Sequence, residues 1–165
     1  MKMPNIHTLS ALVKNRPRVL ARVAGLFARR EFNIESLAVS TTQDPTLSRM
    51  TIAVDVSGTP LEQVRKQLEK LHDVVTVMDH TGDAVVAREL CLLKVEVPAE
   101  KRPEISALAN VFRGDIIDIG NGTLIVQCIG DAGKIDAFIA NFREYGIIEL
   151  VRTGTVLLAR GHQKT

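Results

Sequence analysis

HTLSALVKNRPRVLARVAGLFARREFNIESLAVST, residues 7–41, reads as a strand, a polar turn, an amphipathic helix and a second strand. From His7 to Val13 the residues alternate, with Leu9, Ala11 and Val13 on one side and Thr8, Ser10 and Leu12 on the other, the period of a half-buried strand. Asn15 is placed to cap the helix that follows, and Pro17 suits its first turn because no N–H is needed there. Val19, Leu20, Val23, Leu26 and Phe27 recur at helical spacing, while Arg18, Arg22, Arg29 and Arg30 take the other face, which reads as a solvated one. The turn Lys14-Asn15-Arg16-Pro17-Arg18 delivers a helix start straight from a strand end. Four backbone N–H groups lack intrahelical partners there and the helix dipole adds partial positive charge. Such a turn can receive a carboxylate, although most helix starts bind only water.

Outward from this stretch, Ile34 to Thr41 and Ser48 to Val56 form two strands joined by a turn at Gln43-Asp44-Pro45. Thr59-Pro60-Leu61-Glu62 carries both a capping-box pattern and a proline at the first helical position. Leu61, Val64, Leu68 and Leu71 give that helix its apolar stripe, and Val74 to Met78 makes a fourth strand. Residues 79–87 (DHTGDAVVA) read as a short linker, and beyond it the order repeats. Glu89 to Val97 is a strand; Pro103 opens a helix with Ile105, Leu108, Val111 and Phe112 inward; Gly114 ends it. Asp115 to Ile119 and Thr123 to Ile129 are strands joined by Gly120-Asn121-Gly122, a strong hairpin signal. Asp131 caps a helix built on Ile135, Phe138, Ile139 and Phe142, Gly146 closes it, and Ile147 to Val151 is the last strand before a tail from Arg152 to Thr165. Two successive β-α-β-β-α-β units predict an α+β protein of two tandem ferredoxin-like sandwiches, residues 1–80 and 81–165. Each sheet then has one face without helices, and strands with apolar residues on both sides, such as Leu37 and Val39 opposite Ile34 and Ala38, predict association into at least a dimer.

The 165 residues are 45% hydrophobic and 24% charged, with 21 basic against 19 acidic residues and four histidines. That balance gives no sign of a nucleic-acid partner. Apolar runs fall short of the ~20 residues that span a bilayer, and the first residues lack a signal-peptide pattern. A cytoplasmic protein is expected. Cys91 and Cys128 lie inside apolar strands and read as small buried hydrophobes. His7, His72, His80 and His162 have no Ser, Cys or Glu at informative spacing, so no catalytic residue and no metal ligand is expected. The same topology serves RNA-recognition modules, but one tyrosine, no tryptophan and phenylalanines spent on helix stripes leave no stacking platform.

LARVAGLFARREFNIESLAVSTTQDPTLSRMTI, residues 20–52, resembles the small, regulatory subunit of acetohydroxyacid synthase (acetolactate synthase), FNIESL and DPTLSRMTI above all. LEQVRKQLEKL, VARELCLLKV, VFRGDIIDI, KIDAF and VRTGTVLLARG are similar to that family in the same order, so the likeness spans nearly the whole chain. It implies an ACT domain over residues 1–80, binding an amino acid and dimerising, and the family's C-terminal domain over 81–165. It implies a non-catalytic subunit in branched-chain amino-acid biosynthesis, which binds the catalytic subunit, activates it and confers feedback inhibition by valine or a relative. No cofactor is implied in this chain; thiamine diphosphate, magnesium and FAD are expected in the catalytic partner only. The effector would sit where two ACT domains meet, held by Asn15, Arg18, Val19 and Leu20 of one chain and closed by Asn33 and Ile34 of the other. The family usually has glycine where this chain has Arg18 and Glu31. Bulk at Arg18 predicts a weakened or altered amino-acid response, and Glu31 predicts a helix closed instead by Phe32 or Asn33. The competing reading is a free-standing amino-acid-sensing ACT protein.

Overall fold

A strand needs a partner for every backbone N–H and C=O and cover for its apolar side, and both demands are met twice along this chain. The structure, a computed structural model, describes residues 5–58 and 60–164. In order the elements are β1 (Ile6–Lys14), α1 (Val19–Arg29), β2 (Asn33–Thr41), β3 (Leu47–Asp55), α2 (Leu61–Glu69), β4 (Val74–Asp79), β5 (Val85–Glu96), α3 (Arg102–Val111), β6 (Asp115–Ile119), β7 (Thr123–Gly130), α4 (Ala132–Phe142), β8 (Ile147–Arg152) and β9 (Val156–Ala159). The strand orders are β2-β3-β1-β4 and β6-β7-β5-β8, with β9 paired to β5. Both β-α-β-β-α-β units are therefore present as antiparallel sheets, as the repeat predicted.

The chain divides into two compact units, one running up to Val86 and including the residues from Thr155 on, the other Ala87–Gly154. The predicted boundary at residue 80 gave the whole tail to the second half. Residues 155–164 make bonds to the first unit: the Arg49 guanidinium donates to the Leu157 carbonyl at 3.2 Å, the Arg160 N–H to the Ala84 carbonyl at 2.8 Å, and the Gln163 amide to Asp83 at 3.1 Å. Leu157 is buried by this return. The Thr8–Ser10–Leu12 side of β1 faces away from the helices, yet Ser10 is fully buried. In the first unit Leu9, Ala11 and Val13 of β1 and Met50, Ile52 and Val54 of β3 pack with Val19, Val23, Leu26 and Phe27 of α1 and with Val64 and Leu68 of α2. In the second, Cys91, Leu93 and Val95 pack with Val126, Cys128, Ile105, Ile135, Phe138 and Phe142.

Helix ends explain where sequence reasoning succeeded and failed. Asp131 caps α4 as predicted, accepting the Lys134 N–H at 2.8 Å. Asn15 does not cap α1. Its side-chain amide donates to the Pro45 carbonyl at 2.9 Å and its own N–H to the Thr46 carbonyl at 2.7 Å. Pro17 lies in the turn before the helix, and the residue at the cap position is Arg18, with φ 71° and no side-chain cap bond. The capping box predicted at Thr59 lies outside the described residues. At the other end of α1, Phe32 N–H reaches the Phe27 carbonyl at 3.0 Å and Glu31 N–H the Ala28 carbonyl at 3.3 Å. These are the two bonds of a Schellman closure, completed by edge-to-face packing of Phe27 on Phe32, 5.9 Å between centroids. The left-handed residue it requires is Glu31 itself, φ 56°, not Phe32 or Asn33 as expected. Helix α3 closes the same way: Gly114 N–H bonds the Ala109 carbonyl at 2.9 Å, Arg113 N–H that of Asn110 at 2.9 Å, and Arg113 carries φ 51°. Gly114 serves a different need, because a Cβ there would lie 2.5 Å from the Gln127 carbonyl oxygen.

A left-handed conformation costs an L residue about 1–2 kcal/mol, part of which glycine repays in unfolded-chain entropy. Glu31→Gly and Arg113→Gly are each expected to raise the unfolding free energy by about 0.5–1 kcal/mol in urea titration. Gly114→Ala should lower it, because backbone must move to admit the methyl group. Unchanged midpoints for both glycine variants would show that these residues sit without strain.

Candidate functional site

Of the residues singled out in sequence, Asn15, Arg18, Val19 and Leu20 do cluster, on the β1–α1 turn. Asn15 and Arg18 are exposed, Val19 is buried and Leu20 is 46% exposed, so Leu20 leaves the apolar stripe that its spacing suggested. The reason is angular: Val19, Val23, Leu26 and Phe27 already fill the inward face, and a residue one step on points about 100° away. The turn is held from two sides. Asn15 ties it to the β2–β3 hairpin through Pro45 and Thr46. Lys14 N–H donates to the Asp73 carbonyl at 2.8 Å, and the buried Asp73 carboxylate pairs with Arg22 of α1. Lys14 Nζ lies 3.3 Å from His72 Nε2. Lys14, Arg16 and Arg18 thus lie at a helix start that has no side-chain cap, which suits a carboxylate.

Asn33 and Ile34 are elsewhere. In the sheet register Lys14 pairs with Leu47, whereas Ile6 and Asn33 both pair with Asp55. Strands β1 and β2 therefore run parallel on either side of β3, and Asn33 sits level with the start of β1, about 25 Å from its end at ~3.3 Å per residue. Asn33 hydrogen-bonds Glu35 within its own strand. The register slips between Ile34 and Ser36, which leaves Glu35 as a bulge on an edge strand. A single copy of this unit does not bring the two asparagines together.

The structure assembles one constellation that sequence spacing concealed. Ser10 Oγ lies 2.5 Å from His80 Nε2, and His80 Nδ1 lies 3.3 Å from Asp83 Oδ2. The order Ser–His–Asp is that of a hydrolase triad, but Ser10 is 0% exposed and the His80 side chain 1%. No substrate carbonyl reaches that hydroxyl, so the imidazole here joins the 79–83 turn to β1. Seventy residues separate Ser10 from His80, and only the pairing of β1 with β4 makes them neighbours.

Cys91 and Cys128, far apart in sequence, are register partners across β5 and β7. Burial pushes the Cys91 thiol up to about 11 and raises Cys128 too, which keeps both protonated and unreactive. Among the described residues no group of three or more His, Cys, Asp or Glu could hold a metal ion, and no helix is long and apolar enough to cross a membrane.

Comparison with known proteins assigns both units. Residues 9–76 match the AHAS small subunit-like ACT domain and residues 88–161 the small subunit of acetolactate synthase. The chain belongs to the acetolactate synthase small-subunit family. It is 52% identical over 158 residues to a probable acetolactate synthase small subunit of Archaeoglobus fulgidus, covering 96% of this chain and 99% of that one. It is 46% identical over 158 residues to the acetolactate synthase small subunit of Mycobacterium bovis, covering 96% and 94%. The crystal structure of the acetolactate synthase small subunit from Thermotoga maritima superposes with a TM-score of 0.86 at 38% identity, covering 96% of this chain and 99% of that chain. The first unit is thus an ACT domain, and a small subunit implies a large, catalytic partner.

Removing one partner from a buried hydrogen bond costs about 1–3 kcal/mol. Ser10→Ala should accordingly lower stability by that amount in thermal or urea unfolding, while hydrolysis of an activated ester stays at the solvent rate in both proteins. Measurable ester turnover lost in Ser10→Ala would instead reveal a working triad.

Proposed function

We propose that this chain is the regulatory subunit of an acetolactate synthase, acting in the cytoplasm in branched-chain amino-acid biosynthesis. It would bind a catalytic subunit that carries thiamine diphosphate, magnesium and FAD, raise its turnover and confer feedback inhibition by valine or a related amino acid. It makes no bonds itself and holds no cofactor.

The observation that supports this reading is the placement of Asn15 and Asn33 at opposite ends of one sheet in which β2 is an edge strand. If two copies join antiparallel along β2, the two-fold axis carries Asn33 and Ile34 of the second copy to the end where Asn15, Arg18, Val19 and Leu20 lie. The ligand then meets N–H donors for its carboxylate, asparagine carbonyls for its ammonium and the exposed Leu20 for its side chain. A ligand gripped by two copies favours the paired state. A catalytic subunit that senses pairing is then coupled to the ligand by a free energy of about 1–3 kcal/mol.

Arg18 occupies a left-handed position, φ 71°, with its side chain exposed, where a residue without a side chain lets backbone approach a ligand. The test is to mix the chain with a thiamine-diphosphate-dependent acetolactate synthase catalytic subunit and follow turnover against valine, leucine and isoleucine. Co-purification and a raised turnover are expected; failure of both leaves a free-standing sensor as the account. Arg18→Gly is expected to lower the valine concentration for half-inhibition by about fivefold, the small end of typical coupling. Superimposable inhibition curves for the two proteins would remove Arg18 from the site.

A further inference from the structure

The strand-end junctions of the two units can be compared residue by residue, because their registers correspond. Lys14 pairs with Leu47 as Glu96 pairs with Thr123, and Val13 pairs with Val74 as Val95 pairs with Ile147. The β1–β4 register slips between Leu12 and Val13, and the β5–β8 register slips at the matching place, between Lys94 and Val95. The backbone bonds that hold each junction repeat as well. Asn15 N–H reaches the Thr46 carbonyl at 2.7 Å and Lys14 N–H that of Asp73 at 2.8 Å; Val97 N–H reaches the Gly122 carbonyl at 2.8 Å and Glu96 N–H that of Gly146 at 3.0 Å.

Side chains are where the two junctions part. Asn15 stands where the second unit has Val97, and Asp73 where it has Gly146. The topology requires neither polar side chain, since the second unit reaches the same strand order with the backbone bonds and without them. Yet Asp73 is only 5% exposed, a burial that a carboxylate tolerates with a partner, and the partner is the Arg22 guanidinium. Arg22 closes the first turn of α1, its N–H bonding the Arg18 carbonyl at 3.0 Å. One residue thus grips the turn from both sides: its carbonyl holds the end of β1 and its carboxylate holds the start of α1.

On the reading of this turn as the effector site, we propose that Asp73 is its positioning residue, fixing the helix start against the strand end at the spacing a bound amino acid needs, without touching the ligand. Charge and position predict opposite signs here. A negative charge beside a helix start disfavours a carboxylate ligand, so if Asp73 acted by charge alone its removal would tighten binding. If it acts by position, its removal lets the helix start shift and loosens binding. The Arg22 side chain is 57% exposed, so removing the carboxylate returns the guanidinium to water and strands no buried charge.

The experiment follows turnover of an acetolactate synthase catalytic subunit with the full chain, against valine, leucine and isoleucine, for the wild type, Asp73→Ala, Asp73→Asn and Val77→Ala. Asp73→Ala is expected to raise the half-inhibiting concentration by about fivefold. Asp73→Asn, whose amide oxygen can still accept from Arg22, should raise it by about twofold, and it carries the comparison alone if Asp73→Ala does not fold. Val77 is a buried core residue on β4, so Val77→Ala loosens the same unit away from the junction; it should lower the urea midpoint and leave half-inhibition where it was. Half-inhibition that holds or falls in both Asp73 variants, or that rises equally in Val77→Ala, would overturn the role of Asp73 and leave the effector site standing. A wild-type chain indifferent to all three amino acids would remove the effector site and the role of Asp73 together.

Discussion

Strand β1 must hand the chain to β2, two places away in the sheet and running in the same direction, across an eleven-residue helix. That helix advances about 16 Å at 1.5 Å per residue, while a nine-residue strand covers about 27 Å. The difference falls on the connections, and both are tight. Each is closed by a residue in the left-handed region, Arg18 before the helix and Glu31 after it. The whole first unit depends on these two turns, because Val19, Val23, Leu26 and Phe27 reach the core only if the helix is set down at the right height over β1 and β3. A side chain at φ near +60° is tolerated when the surroundings over-determine it. At Glu31 the surroundings are the two closing bonds and the Phe27–Phe32 contact. At Arg18 they are the bonds from Asn15 to the hairpin and from Lys14 to Asp73.

Because the same turn is both the helix start and the candidate ligand site, its order is a functional matter. Asn15 was expected to stabilise the helix by capping. It instead fixes the turn against the hairpin thirty residues away, leaving the first N–H groups of α1 without a side-chain cap. A capped helix start would already be satisfied and would have less to offer a carboxylate. The loss in helix stability, about 1 kcal/mol for a missing cap, is the kind of local cost found where a ligand completes the hydrogen bonding.

Much of this was legible in the chain. Alternation in β1 and β3, the Asn121-Gly122 hairpin, the Asp131 cap and the doubled β-α-β-β-α-β order needed only local rules, and they gave both sandwiches. The unusual character of Arg18 and Glu31 was visible as a departure from a family pattern, though its conformational meaning was not, since an arginine or glutamate carries no backbone signal of its own. What stayed hidden was long-range. Ser10 meets His80, and Cys91 meets Cys128, only through strand register. The tail beyond Gly154 offers a four-residue strand and a turn, too little periodicity to say which sheet it joins. Asn15 misled because a side chain that suits a cap suits a carbonyl across a loop equally well.

The two sheets carry the same topology yet meet the problem of their second face differently, and the difference lies in side-chain chemistry. In the first, Thr8, Ser10 and Thr51 face away from the helices, and the small polar groups of Ser10 and Thr51 are buried. Groups of that size can be covered by the returning tail, whose short strand β9 and the turn after it pair with the unit beneath, as Leu157 does with Arg49 and Arg160 with Ala84. In the second, the corresponding positions include the register pairs Leu90–Ile129 and Leu92–Val151, with Ile129 and Val151 about half exposed. Branched apolar side chains in such a row gain nothing from a polar strap and lose about 25 cal/mol for each Å² left in water. The same fold thus closes one of its sheets with its own chain and keeps on the other an apolar face.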